Sequence, residues 1–262
     1  MAGIAADLDA EHEELRGLVA PLDAATLETP TPADGWTIRD QISHLSFFDA
    51  AALLALTDPD AFEAQKARLL ASMESAPPSM DIVWGRELAP PDLLERWATR
   101  FHELLGALRG ADPKARIPWY GPAMGAVSFT TARLMETWAH GQDIVDALGL
   151  ARPATSRLRH IAHIGIGARP WSYRVNRRPV PDAPVYVRLL GPDGVTWEWG
   201  DPTAPDRVAG AALDFALVVT QRRHLDDTAL DVVGPHAGEW MRIAQAFAGP
   251  AGPGRSPGQF PS

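Results

Sequence analysis

The chain contains no cysteine. Disulfides, thiolate metal sites and a cysteine nucleophile are therefore excluded, and any thiol chemistry must use a thiol brought in from outside. No stretch of about 18 consecutive apolar residues occurs, so no membrane span is expected. Met1 to Asp9 carries acids and lacks a positively charged start followed by an apolar run. It does not read as a signal peptide, and a cytoplasmic location is expected. Basic runs are missing as well. With 24 Lys and Arg against 33 Asp and Glu, the net charge is -9. Neither a nucleic-acid backbone nor an anionic membrane is an expected partner.

What is present is enough apolar material for a core. Of the 262 residues, 46% are hydrophobic and 22% are charged. That is ordinary for a soluble globular protein of one large domain or two modest ones. The first two thirds read as helices. Ile4, Leu8, His12, Leu15, Leu18 and Val19 keep helical spacing up to Pro21. A Pro/Gly-rich loop, TPTPADGW, follows. Thr37 then reads as an N-cap with Asp40 three residues later, and Ile42, Leu45, Phe48, Ala52 and Leu56 carry one apolar face to Thr57. Further helices are expected from Pro59 to Met73, broken by SAPPSM, and from the Pro90–Pro91 pair to Gly110. Two more are expected from Ser128 or Thr130 to Gly149, and from Ser156 to Gly165.

The pattern changes near Pro179. APVYVRLLGPDGVTWEWGD reads as a β-hairpin, with Val185, Val187 and Leu189 on one strand and Trp197 and Trp199 on its return. Its GPDGVT turn lacks the ending and the following helix of a phosphate loop. PDRVAGAALDFALVVTQRRHL reads as a helix, TALDVVG as a strand and HAGEWMRIAQAF as a helix. The expected fold is mainly α. A helical bundle occupies residues 1–175, a small α+β domain residues 180–248, and a disordered Gly/Pro/Ser tail residues 249–262.

One constellation carries chemistry. Glu136 and His140 are four apart on one expected helix, so both side chains can reach a single ion. Such pairs also arise by chance on helix surfaces. Here they sit among Leu134, Trp138, Ile144 and Val145, so their face points inward. His44 lies on the apolar side of its own helix, between Ile42, Leu45 and Phe48. A lone histidine there is usually a core residue. Three metal-capable groups on inner faces of two bundle helices form a site instead. Two imidazoles and a carboxylate suit Zn²⁺ or another divalent first-row metal, and three protein ligands leave a position open for chemistry. Asp40 and Asp143 are candidates to orient a ligand imidazole. Asp40 is also the candidate for a fourth ligand.

DGWTIRDQISHL (Asp34 to Leu45) resembles the start of the second helix in the DinB/YfiT-like bundles, in particular the mycothiol-dependent maleylpyruvate isomerase family. METWAHGQDIVDALG (Met135 to Gly149) resembles that family's fourth-helix motif, and RVAGAALDFALVVTQRRH with LDVVG resembles its small C-terminal domain. The resemblance runs from about residue 4 to 247. It implies a DinB-like four-helix bundle followed by an α+β domain, with His44, Glu136 and His140 as Zn²⁺ ligands. It also implies mycothiol as cosubstrate: the thiolate adds to a conjugated cis-enoyl acid, the adduct rotates, and the thiol leaves the trans product. WGREL and ARPWSYRVNRRPVP depart from the isomerase, so maleylpyruvate itself is not carried over.

Other residues weigh less. Arg222 and Arg223 end a helix of the smaller domain, where the resemblance implies an Arg that helps with an acid substrate and where cations are also favourable as caps. Arg86 is a weaker candidate. His160 and His163 are three apart and allow a second metal site, or one core and one exposed residue. His12, His102, His224 and His236 are taken as structural. Trp119, Tyr120 and Met124 are candidates for a pocket mouth. The expected function is a metal- and thiol-dependent isomerase or S-transferase acting on a small electrophile. A thiol-independent metal hydrolase and a non-catalytic binding protein are the alternatives. The oligomeric state is not legible.

Overall fold

The computed structural model describes residues 1–73 and 80–260, and they fall into two compact units, Met1–Arg152 and Pro153–Ser262. The first unit holds α1 (Ala2–Val19), α2 (Ala24–Leu27), α3 (Ile38–Thr57), α4 (Pro59–Met73), α5 (Met80–Arg86) and α6 (Pro90–Gly110). A two-residue ribbon, β1 (Arg116–Ile117) with β2 (Met124–Gly125), leads into α7 (Ala126–Ala147). The segment SAPPSM, expected to break α4, lies almost wholly outside the described residues.

Four of these helices form the bundle: α1 and α3 each pack against both α6 and α7. The reason is visible in the apolar stripes. Leu15 and Val19 of α1, Ile38, Ile42 and Leu45 of α3, Leu93 and Trp97 of α6 and Ile144 of α7 share one buried cluster. The start of α3 is fixed as expected. Thr37 accepts from the Asp40 amide, and the Asp40 carboxylate accepts in turn from the Thr37 amide at 2.9 Å, a complete capping box. Arg39 reaches across to the far end of α5, where it donates to the carbonyls of Gly85, Arg86 and Leu88. That helix end is thereby satisfied and tied to α3.

The second unit begins earlier than the sequence suggested. The boundary lies at Arg152, not near residue 175, because α8 (Leu158–Gly167) and α9 (Arg169–Val175) belong with the later elements. Gly165 of α8 lies so close to Val219 that a Cβ there would come within 2.8 Å of its Cγ2. The hairpin β3 (Val185–Leu190) and β4 (Thr196–Trp199) is antiparallel as expected, with Val187 opposite Trp199 and Leu189 opposite Trp197.

One expected helix is divided. Residues 206–211 form β5 (Asp206–Ala211), parallel to β3, and only then does α10 (Ala212–Val219) begin. Asp206 and Val208 are buried with Arg207 exposed between them, an alternation that a strand shows. An Ala/Gly-rich run of that length is ambiguous between the two periods. β6 (Asp231–Val233) completes the sheet order β4-β3-β5-β6, and α11 (Pro235–Ile243) follows. The buried Asp206 carboxylate caps α11, accepting from the amides of His236 at 2.7 Å and Ala237 at 2.9 Å. The tail read as disordered lies against this unit up to residue 260. Gln245 donates to the carbonyls of Gly249 and Pro250, the Gly258 amide donates to Asp227, and Arg223 sits over the Phe260 ring.

No described helix is long and apolar enough to cross a membrane.

Candidate metal centre

The structure brings the three expected ligands together. One ligand atom from each of His44, Glu136 and His140 lies within 4.8 Å of the others. Helix α3 supplies His44 and α7 supplies the other two from successive turns. His140 Nε2 and Glu136 Oε2 are 3.3 Å apart. That separation is about the edge of a tetrahedron with metal bonds of about 2.0 Å. The donor set and the spacing therefore fit a divalent first-row ion.

Each imidazole is held by its second nitrogen. His44 Nδ1 is 2.5 Å from Asp81 Oδ2 of α5, so this nitrogen carries the proton and Nε2 faces the site. His140 Nδ1 is 2.5 Å from Gln41 Oε1. The orientation of Gln41 is itself determined: its Nε2 donates to Thr31 Oγ1 at 2.9 Å, and the Thr31 hydroxyl donates to the Trp36 carbonyl at 3.0 Å. The Gln41 oxygen is thus left to accept from His140 Nδ1, and His140 Nε2 lies on the Glu136 side of the ring. Glu136 is ionised. Burial works against its charge, but the hydrogen bond and charge of His140, with the charges of His44 and Arg133, outweigh it and hold the carboxyl down to about 2.

Arg133, one turn before Glu136, donates to Asp49 of α3 at 2.8 Å. Both side chains of this pair are buried. Burial raises the Asp49 carboxyl, and the adjacent Arg133 charge opposes that rise. The pair pins the two ligand-bearing helices together.

Aromatic rings enclose the ligands. Trp36 lies 5.3 Å from the His44 ring and 5.9 Å from the His140 ring, within 17° of parallel to the latter. Phe48 lies 4.6 Å from His44. Trp119 and Tyr120, expected at a pocket mouth, reach Phe48 at 6.2 and 5.6 Å. Met124 is half-buried in β2.

Several sequence expectations change. Asp40 is neither a fourth ligand nor an orienting group. Its two oxygens are taken by Thr37 and by Arg86, whose Nε and Nη2 donate at 2.8 and 2.7 Å. Burial would raise the Asp40 carboxyl, but the hydrogen bonds from Arg86 and Thr37 bring it below its ordinary value. Arg86 is accordingly a structural partner of Asp40. Asp143 is buried in α7, and the acceptor on His140 Nδ1 is Gln41. The orienting residues Asp81 and Gln41 were not picked out by sequence. His163 is exposed and His160 half-buried, and no second metal cluster occurs among the described residues. Arg222 and Arg223 follow α10 in the second unit. Arg222 Nη1 donates to the Thr220 carbonyl and Arg223 Nη1 to the Arg222 carbonyl, each at 2.7 Å.

Comparison with known proteins finds relatives of this chain. Residues 8–145 match the model of the mycothiol maleylpyruvate isomerase N-terminal domain. An uncharacterised protein found in two strains of Mycobacterium tuberculosis is 47% identical over 253 residues, covering 95% of this chain and 97% of the relative. The crystal structure of the mycothiol-dependent maleylpyruvate isomerase superposes with a TM-score of 0.56 at 15% identity, covering 85% of this chain and 89% of that one. A histidine-to-alanine mutant of that enzyme gives the same TM-score at 14% identity. At these identities the likeness to the solved structures is one of fold.

Proposed function

The chain belongs to the family of the mycothiol maleylpyruvate isomerase N-terminal domain, and on that premise we propose that it is a divalent-metal-dependent enzyme. It uses a low-molecular-weight thiol, mycothiol by family, on a small electrophilic or conjugated enoyl substrate, as an isomerase or S-transferase. The observation that carries this reading is the convergence of His44, Glu136 and His140 with both Nδ1 atoms already committed. When bound, Zn²⁺ or a similar ion supplies a Lewis acid that favours the thiolate form of an incoming thiol.

The chain's own residues prepare the rest. Asp81 and Gln41 hold the imidazoles in the tautomer that presents Nε2. Glu136 adds a formal negative charge that the two imidazoles alone would lack. Trp36 and Phe48 lay apolar rings against the ligand imidazoles, which lowers the local dielectric and strengthens the electrostatic interactions there. With no cysteine in the chain, the nucleophilic sulfur comes from the cosubstrate. Arg222 and Arg223 are the proposed anchors for a substrate carboxylate.

The test is metal analysis of the wild type and of His44→Ala after expression in metal-replete medium, with thiol binding measured on both. One equivalent of metal in the wild type, lost with thiol binding in the variant, is expected. A metal-free wild type overturns the proposal. Turnover without any thiol would favour a hydrolase, and a metal closed by four protein ligands would favour a binding protein.

A further inference from the structure

Trp36 combines two properties that rarely coincide. Its side chain is only partly buried, yet its backbone is fixed from several sides. Its carbonyl accepts from the Thr31 amide at 2.7 Å and from the Thr31 hydroxyl at 3.0 Å, and its amide donates to the Ala33 carbonyl at 3.0 Å. Gly35, just before it, turns the chain at a φ of 73°, a conformation that favours glycine. The loop is further bridged by pairing of Pro30 with Thr37. The indole carried on this backbone flanks both ligand imidazoles.

The hold on Trp36 is continuous with the hold on His140. His140 donates to Gln41, Gln41 donates to Thr31, and Thr31 donates to the backbone of Trp36. Gln41 is fully buried. An aromatic platform and a ligand imidazole are therefore set by one chain of hydrogen bonds. A second aromatic ring, Phe48, lies 4.6 Å from His44. The nearby cations Arg86 and Arg133 are bound to Asp40 and Asp49.

We propose that Trp36 is the binding platform for a planar, conjugated small molecule at this centre, and that Thr31 is the positioning residue that sets Trp36 and His140 together. The proposal rests on the metal-dependent reading above and narrows its substrate class to flat, largely apolar conjugated acids over compact, strongly hydrated ones. Stacking on an indole, which has only two side-chain torsions and a restrained backbone, supplies affinity with little side-chain ordering.

The experiment uses trans-cinnamate as probe, calorimetry for its binding, and separate zinc analysis of each protein. Wild type is compared with Trp36→Ala, Trp36→Phe, Thr31→Val and Thr31→Ser. Trp36→Ala should keep its zinc and bind cinnamate about 10-fold or more weakly, while Trp36→Phe stays within a few-fold of wild type. Thr31→Val should weaken both zinc and cinnamate, and Thr31→Ser, which keeps the hydroxyl, should restore both. Zinc-loaded wild type that binds no cinnamate, or Trp36→Ala that binds it undiminished, overturns the platform and leaves the metal reading standing. Thr31→Val with unchanged zinc and cinnamate affinity overturns the coupling. A wild type that takes up no zinc defeats the metal reading instead, and cinnamate binding lost in Trp36→Ala would then support the platform by itself.

Discussion

Asp81 Oδ2 and His44 Nδ1 stand 2.5 Å apart, joining a short helix to a ligand of the candidate metal centre. The other imidazole, His140, is held by a neutral amide, Gln41. The two histidines thus differ in what backs them, a carboxylate behind His44 and a neutral amide behind His140. Asp81→Asn should preserve the fold and weaken zinc binding about 10- to 100-fold, the usual scale for such orienting partners. Gln41→Leu should act similarly through His140. Competition against a chromophoric chelator, with circular dichroism as the folding control, measures both. Unchanged zinc affinity in Asp81→Asn would show that the carboxylate does not support the ligand.

The buried pair Arg133–Asp49 links α3 to α7 at 2.8 Å. Removing one partner leaves a charge without compensation in the interior. Arg133→Met alone is expected to cost about 3–5 kcal/mol. The double variant Arg133→Met/Asp49→Leu should recover most of that loss, since a well-packed apolar pair often matches a buried ion pair. Urea denaturation of the two single variants and the double closes the cycle. Additive losses would mean that the two residues do not stabilise each other.

The ligand triad was legible in the sequence because helix periodicity fixes which residues share a face. Glu136 and His140 are one turn apart, and His44 sits on the apolar side of a helix whose start is marked by Thr37 and Asp40. The orienting groups were not legible. Asp81 lies in a seven-residue helix, too short to show a period, and its approach to His44 depends on how α5 packs on α3. Gln41 looks like any polar residue until the fold buries it. Asp40 was open to three readings, as cap partner, orienting group or fourth ligand, and its bonds to Thr37 and to Arg86, 46 residues away, leave the first. In the second unit, β5 was mistaken for helix because its strand identity comes from pairing with β3, a non-local contact that composition does not carry.

His12 predicts how stability depends on pH. It is fully buried in α1, stacked on Phe101 at 3.6 Å and beside Trp97 at 4.3 Å. Neither ring nitrogen makes a hydrogen bond among the described residues, although Glu13 Oε1 lies 3.5 Å from Nδ1. Burial is the main cause that lowers its pKa to about 3; Glu13 opposes this, while His102 and Arg16 add to it. The unfolded chain takes up a proton below about 6.5 and the folded chain does not until about 3. Stability therefore falls as pH drops through that window, by up to about 1.4 kcal/mol per pH unit from this residue. Above it, His12 contributes no pH dependence. His12→Leu should flatten the acid limb by about one proton when urea midpoints are compared from pH 7 to pH 4. An unaltered slope would place the acid sensitivity elsewhere.

Gly85 explains how α5 comes close enough to deliver Asp81. A Cβ at this position would collide with the Cβ and Oγ of Ser43, the residue before His44. Ser43 Oγ also donates to the Asp81 carbonyl at 2.5 Å, so the same contact that needs a glycine holds the orienting aspartate in register. Gly85→Ala should push α5 away from α3, and overpacking of this kind costs about 1–3 kcal/mol. The displacement should lengthen the Asp81–His44 contact, so zinc affinity should fall together with stability. Moving the missing side chain to the other partner separates the two effects. Ser43→Gly/Gly85→Ala removes the collision, and zinc affinity should recover in part, the remainder being lost with the Ser43 hydroxyl that holds the Asp81 carbonyl. Stability should stay about 1 kcal/mol lower for the glycine placed inside α3. Thermal melts and zinc competition on the single and double variants read both quantities. If Gly85→Ala binds zinc as the wild type does, the close approach of α5 is a packing feature with no part in the metal centre.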